Sequence, residues 1–301
     1  MIRVFSIIMA FGVFLTAAAP AWADWKADIG YARLVDQSGD LLPDGTGIAV
    51  TQVEAPSSGH WLPNPADAQF TGKTIVNRSG DSGTSGHATS VGRTFYGKTQ
   101  SLVPDVTNID AYEANDWMLY NFLRYVYGWQ PDASTSRVAN HSWVGSTSGA
   151  AAGDMLRRLD WVIDTDEFIQ AVATGGAGRT LLGNSFNAIA VGRTDGAHTP
   201  GTAALDAVYT AGRSRPDIVA PMTSLSSATP VVAGASALLV AAGADPFLSD
   251  DPLETDGINR RGGRIYNAQR AEVVKTALMA GADRFTRDRK ASCRERVCHR
   301  V

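Results

Sequence analysis

The stretch that most constrains this chain is Arg215–Val240, RPDIVAPMTSLSSATPVVAGASALLV. Pro216–Ala220 has β character and stops at Pro221. A Ser/Thr-rich turn follows, and from Thr229-Pro230 a run of small and apolar residues continues to Val240 with helical rather than strand character. Proline suits the first turn of a helix, where its missing N–H has no intrahelical partner. The pattern therefore predicts a helix opening at Pro230 with hydroxyl residues at its N-terminus. Backbone donors and the helix dipole favour negative charge there, which suits a serine nucleophile whose reaction creates an oxyanion. The plainer reading is a buried helix with serines at its cap.

The chain has 301 residues, enough for one large domain or two modest ones. Met1–Ala23 reads as a secretory signal: Arg3 is the charged start, Val4–Ala19 is apolar, and Ala21-Trp22-Ala23 is a small-x-small cleavage site. No other run is expected to cross a bilayer, so the mature protein is expected to begin at Asp24 and to be secreted or periplasmic. Of the net charge of −3, the signal carries +1 and residues 284–301 carry +5, which leaves −9 on the body. An acidic body argues against nucleic acid and suits a soluble exported enzyme. Both cysteines, Cys293 and Cys298, lie near the end, so the core must be held by burial rather than disulfides. With His299 they match no standard zinc spacing.

Along the chain, Gly45–Glu54 is a β-type run ending on an acid, Ala55–Gly86 reads as loops, and His87–Tyr96 begins another element. Asp110–Gly128 is predicted as a helix, with Asp110 as cap, Glu113 completing a capping box, and Leu119, Phe122, Leu123 and Val126 on one face. Arg137–Trp143, Ile169–Thr174 and Asn187–Gly192 are strand candidates; Gly149–Ile163 and Ala268–Ala280 are helical. Strands alternating with helices predict an α/β fold of three layers, a mostly parallel sheet with helices on both faces. Ligands bind outside the carboxyl ends of such strands, where Glu54 and the turn before Ser226 fall. The domain is placed at 24–283, followed by a basic tail over 284–301, native or aberrant.

The Arg215–Val240 segment resembles the serine-bearing segment of the subtilisin-like serine peptidases, PDIVAPG…GTSMATPxVAGxxAL, and register from Thr229-Pro230 places the nucleophile at Ser226. Gly86-His87-Ala88-Thr89-Ser90-Val91 resembles the family's HGTHVAG, which makes His87 the general base. The family reads GxGVxVAVIDTG around its acid. Counting from Gly45-Thr46-Gly47 puts Glu54 at that position, and Gln52 out of register, so that removing Gln52 is expected to do little. Glutamate offers the same carboxylate on a longer stem, and Ser–His–Glu sites occur on other folds; a solvated acid at a strand end is the alternative. Arg137–Trp143 resembles the family's VINxSxG strand, which implies Asn140, Ser142 and Trp143 at the substrate groove and a peptide added to the sheet edge. The strand Ala188–Gly192 matches, but Gly176 stands where the family's oxyanion asparagine is expected. Asn184 and Asn187 lie near.

The resemblance spans Gly45 to Val240. It implies an exported endopeptidase acting on protein or peptide substrates through Glu54, His87 and Ser226, with no required cofactor and no legible metal ligand set; a structural calcium ion stays open. A rival of another class is an inactive subtilisin fold that binds peptides or protein partners. An esterase would be expected to carry a GxSxG elbow, and none is present.

Overall fold

A computed structural model of the chain describes residues 24–147, 149–176, 181–249, 257–283 and 299–300. The signal segment Met1–Ala23 and both cysteines lie outside the described residues, as does all of the basic tail except 299–300. After a helix α1 (Tyr31–Ser38), the elements run β1 (Ala49–Glu54), β2 (Thr74–Asn77), α2 (Gly86–Tyr96), β3 (Asn108–Glu113), β4 (Val138–His141), α3 (Gly149–Asp166), β5 (Ile169–Ala173), β6 (Ile189–Arg193), β7 (Ile218–Ala220), α4 (Leu225–Ala242) and α5 (Ala271–Gly281). Seven strands pair in the order β7-β6-β5-β4-β1-β3-β2, every pair parallel. His299–Arg300 adds a two-residue parallel strand beside β7.

A parallel sheet covered on both faces reads as continuous apolar runs rather than alternation, and β4, β5 and β7 are buried at every position. Helix α4 is packed against β4, β5, β6 and β7, and α2 and α5 pack against it as well. On α3, Met155, Leu156, Leu159 and Ile163 are buried in the same core, as the helical stripe predicts. The fold class read from the sequence, a mostly parallel sheet between helices, is the fold observed.

Four expectations are corrected. Asp110–Gly128 is not one helix. Its first residues belong to β3, where Asp110 pairs with Arg78 at 2.9 Å. A short helix, Ala114–Asp116, and a π turn, Trp117–Asn121, follow. Ile109 and Ala111 point to the core with strand period, and pairing with both β1 and β2 outweighs local helical preference. Glu113 does cap, accepting from Asp116 N–H at 2.7 Å, while Val126 is 54% exposed.

Second, the segment read as loops contains strand β2. Third, α4 starts at Leu225, not at Pro230; Ser224 is its cap, accepting from Ser227 N–H at 3.0 Å. Pro230 lies inside the helix and leaves the carbonyl four residues back, that of Ser226, without its helical donor. Helix α4, 18 residues with mean hydropathy 1.6, also meets the length and composition of a membrane span, contrary to the expectation that no further run would. Two-thirds of it is buried, because it is the helix on which four strands pack.

Candidate active site

Glu54 is the last residue of β1, and its carboxylate is 1% exposed. His87 sits in the first turn of α2, behind the cap Ser85, whose hydroxyl accepts from Ala88 N–H at 3.3 Å. The two side chains meet: His87 Nδ1 lies 3.0 Å from Glu54 Oε2. A carboxylate accepts only, so Nδ1 carries the hydrogen and the neutral ring presents Nε2 as a base. The hydrogen bond to Glu54, joined by its charge and opposed by partial burial, raises the His87 pKa above its ordinary 6.5. The ring keeps 39% of its surface in solvent, so the base is reachable from outside.

Gln52 is not idle. Strand period puts it on the same face as Glu54, and its Nε2 donates to Glu54 Oε1 at 2.9 Å and to the Ala88 carbonyl at 2.8 Å. Its Oε1 accepts from Tyr96 Oη at 2.5 Å. Sequence register set Gln52 aside and gave no role to Tyr96. The readable signal is a large uncharged amide one strand period before the acid.

Ser226 stands in the first turn of α4. Its Oγ donates to the Ser142 carbonyl at 3.0 Å, and Ser142 Oγ donates to the Ser226 carbonyl at 3.0 Å. This second bond fills the vacancy left by Pro230 and ties the end of β4 to the start of α4. Among the described residues no hydrogen bond joins Ser226 to His87. The N–H groups of Ser227 and Ala228 are spent on Ser224, whereas that of Ser226 has no partner among the described residues.

Asn140 is fully buried, and its amide donates to Ser142 Oγ at 2.9 Å. It therefore holds Ser142, itself buried, in place. Trp143 is partly exposed and borders a cavity of about 370 Å³ with Met118, Leu119, Met155 and Leu181.

Gly176 follows the end of β5, exposed, with φ of 56°, in the left-handed region. Beside it, a Cβ on Gly175 would stand 2.6 Å from Leu225 Cδ1 and 3.0 Å from Val144 Cγ1. The end of β5 thus closes tightly against the start of α4 and the loop that leaves β4, and a larger residue at 175 would have to displace the tip of Leu225. Of the two nearby asparagines, Asn184 is buried and its Oδ1 accepts from Ala203 N–H at 2.8 Å, and Asn187 spends its Nδ2 on the Asp160 carbonyl at 3.1 Å. Among the described residues no cluster of three or more His, Cys, Asp or Glu is arranged to hold a metal ion.

No protein-family model matches the chain, and no curated protein matches it in sequence. Solved structures do match. A cold-adapted subtilisin-like serine proteinase aligns with a TM-score of 0.55 at 16% identity, over 86% of this chain and 89% of that one. The PatG macrocyclase in complex with peptide aligns at 0.54 and 16%, over 87% and 90%. The protease domain of PatA aligns at 0.53 and 17%, over 87% and 94%. At such identity the likeness speaks for the backbone, and what it establishes is that this chain has the fold of the subtilisin-like proteases.

Proposed function

We propose that this protein is an exported serine endopeptidase that cleaves peptide bonds through an acyl-enzyme, with Ser226 as nucleophile, His87 as general base and acid, and Glu54 as the acid that orients His87. The observation that carries the reading is the 3.0 Å contact between a buried carboxylate at a strand end and an accessible imidazole, on the protease fold described above. In the reaction, Ser226 Oγ turns from the Ser142 carbonyl toward His87 Nε2. Exchanging one neutral hydrogen bond for another costs little, within about 1 kcal/mol. His87 takes the hydroxyl proton as Oγ attacks the carbonyl carbon, and Glu54 supports the imidazolium that forms. The unpaired N–H of Ser226 is placed to receive the oxyanion, at a helix N-terminus whose dipole favours it. His87 returns the proton to the leaving amine, and water releases the acyl group by the same steps in reverse. The steps as written require no metal or cofactor. Substrates are peptides lying along the strand end at Ser142 and Trp143, with a side chain entering the cavity that Trp143 borders.

A second reading is an inactive fold that retains peptides. It is favoured by the Ser226 hydroxyl being engaged with Ser142 and by a glycine at the oxyanion position. A fluorophosphonate probe followed by peptide mapping separates the two. Label on Ser226, absent in Ser226→Ala, supports the peptidase. No label on the intact protein, together with retained binding of peptides, supports the second reading.

A further inference from the structure

Gln52 and Tyr96 are buried, polar, and take no direct part in the chemistry proposed above. Their hydrogen bonds run in one direction. Tyr96 Oη donates to Gln52 Oε1, and Gln52 Nε2 spends one hydrogen on Glu54 Oε1 and the other on the Ala88 carbonyl. Turning the amide over would set its oxygen against a carboxylate and a carbonyl, acceptors facing acceptors. The phenol fixes the amide, and the amide fixes one oxygen of the carboxylate. The other oxygen is then left for His87, 3.0 Å away. Tyr96 and His87 stand at opposite ends of α2, and Ala88 belongs to the same helix, so Glu54 is held between β1 and both ends of one helix.

We propose that Gln52 and Tyr96 are positioning residues for the Ser226 reaction: together they pin Glu54 Oε1 so that Oε2 stays aimed at His87 Nδ1. This rests on the peptidase reading. A glutamate has one more rotatable bond than an aspartate, and an unpinned carboxylate at the end of β1 has more ways to miss the imidazole. A half-satisfied buried network is worse than none, and here every polar atom of the Gln52 amide has a partner. The phenol stays neutral at working pH: burial first, and then the charge of Glu54, push the Tyr96 pKa well above 10. Glu54 is the charged group that acts on His87, so the titration of His87 reports directly on how well Glu54 is held.

The test titrates His87 by NMR in the intact protein and in Tyr96→Phe, Gln52→Met and Glu54→Gln, with His87→Ala to assign the signal. Peptide turnover is measured in parallel, and thermal melts verify folding. Glu54→Gln should lower the His87 pKa, and the other two should lower it part of the way. Gln52→Met should cut kcat by about 10- to 100-fold, the loss expected for hydrogen bonds to a charged group. Tyr96→Phe should cut it less. KM should change by under about twofold, because the interaction lost orients the chemistry rather than binds substrate. The acid limb of the pH profile should move down with the His87 pKa. Folded Gln52→Met and Tyr96→Phe that leave both the titration and kcat unmoved would overturn the proposal, as would a Glu54→Gln that leaves His87 unshifted. If Gln52→Met does not fold, Tyr96→Phe decides alone. If the intact protein turns over no faster than Ser226→Ala, the peptidase reading fails, while the NMR arm still decides whether the pair pins Glu54.

Discussion

The two halves of the site are built differently. On the acid–base side, Glu54 has both oxygens engaged, by Gln52 and by His87, and lies buried at the end of a six-residue strand paired on both edges. On the side of the proposed nucleophile, Ser226 is half-buried and its hydroxyl is engaged by a backbone carbonyl, while Gly176, proposed for the oxyanion side, is exposed. The contrast follows from chemistry. A buried charge is expensive and has to be satisfied before any substrate arrives. A neutral hydroxyl resting on a carbonyl, and one open N–H at a helix start, cost little to hold and little to turn toward what binds.

That contrast can be broken outright at Ser226. Ser226→Ala should remove probe labelling and lower turnover by about 10⁶, the loss seen when a serine nucleophile is deleted. Active-site titration with the fluorophosphonate probe checks it; turnover that survives would place the nucleophile elsewhere.

Next in size is the acid. Glu54→Gln should lower kcat by about 10⁴, since an amide favours the wrong tautomer and cannot support the imidazolium. Steady-state kinetics beside a melting curve would show whether the loss is catalytic. An unchanged kcat in a folded variant would remove Glu54 from the site.

The oxyanion side should respond in the opposite direction. Gly176 sits at φ of 56°, a conformation asparagine tolerates better than most residues. Gly176→Asn should therefore fold and raise kcat, by up to about 10²-fold if the added amide reaches the oxyanion. A folded variant with an unchanged rate would show that backbone donors already suffice there.

The pH profile sharpens the comparison further. His87 must be neutral to act as base, so kcat/KM should climb as pH rises through its pKa. Glu54 raises that pKa, so the midpoint should lie above 6.5, and it should fall in Glu54→Gln. Stability carries the opposite sign: the paired, protonated His87 contributes below its unfolded pKa, and the contribution is lost as pH rises through the folded value. The smallest effect is expected at the join of the two halves. Ser142→Ala keeps the carbonyl that holds Ser226 Oγ but leaves the Ser226 carbonyl without a donor, and chemical denaturation should register a loss of about 1 kcal/mol.

Much of this molecule was legible in its sequence because the signals were local and periodic. The apolar runs of β1, β4, β5 and β6, the stripe on α3, the motif register of Glu54 and His87, and the small-residue run of α4 depend on neighbours a few positions apart. Asp110–Gly128 misled for the complementary reason. Its capping residues and apolar spacing fit a helix, but Ile109 and Ala111 were claimed by strands on either side, and no local pattern reports a distant partner.

What the sequence by itself determined is five of the seven strands, the parallel sheet they imply, and the places of Glu54, His87 and Ser226 along it. Only the tertiary structure decided how those groups are held. Tyr96 reaches Gln52 across 44 positions, and Ser142 reaches Ser226 across 84. Such bonds form because the backbone has already brought a strand and a helix to contact distance, and one buried polar atom then accepts the nearest partner that satisfies it. Pro230 shows both levels in one residue: its missing N–H is written in the sequence, and the hydroxyl that takes its place could come only from the fold.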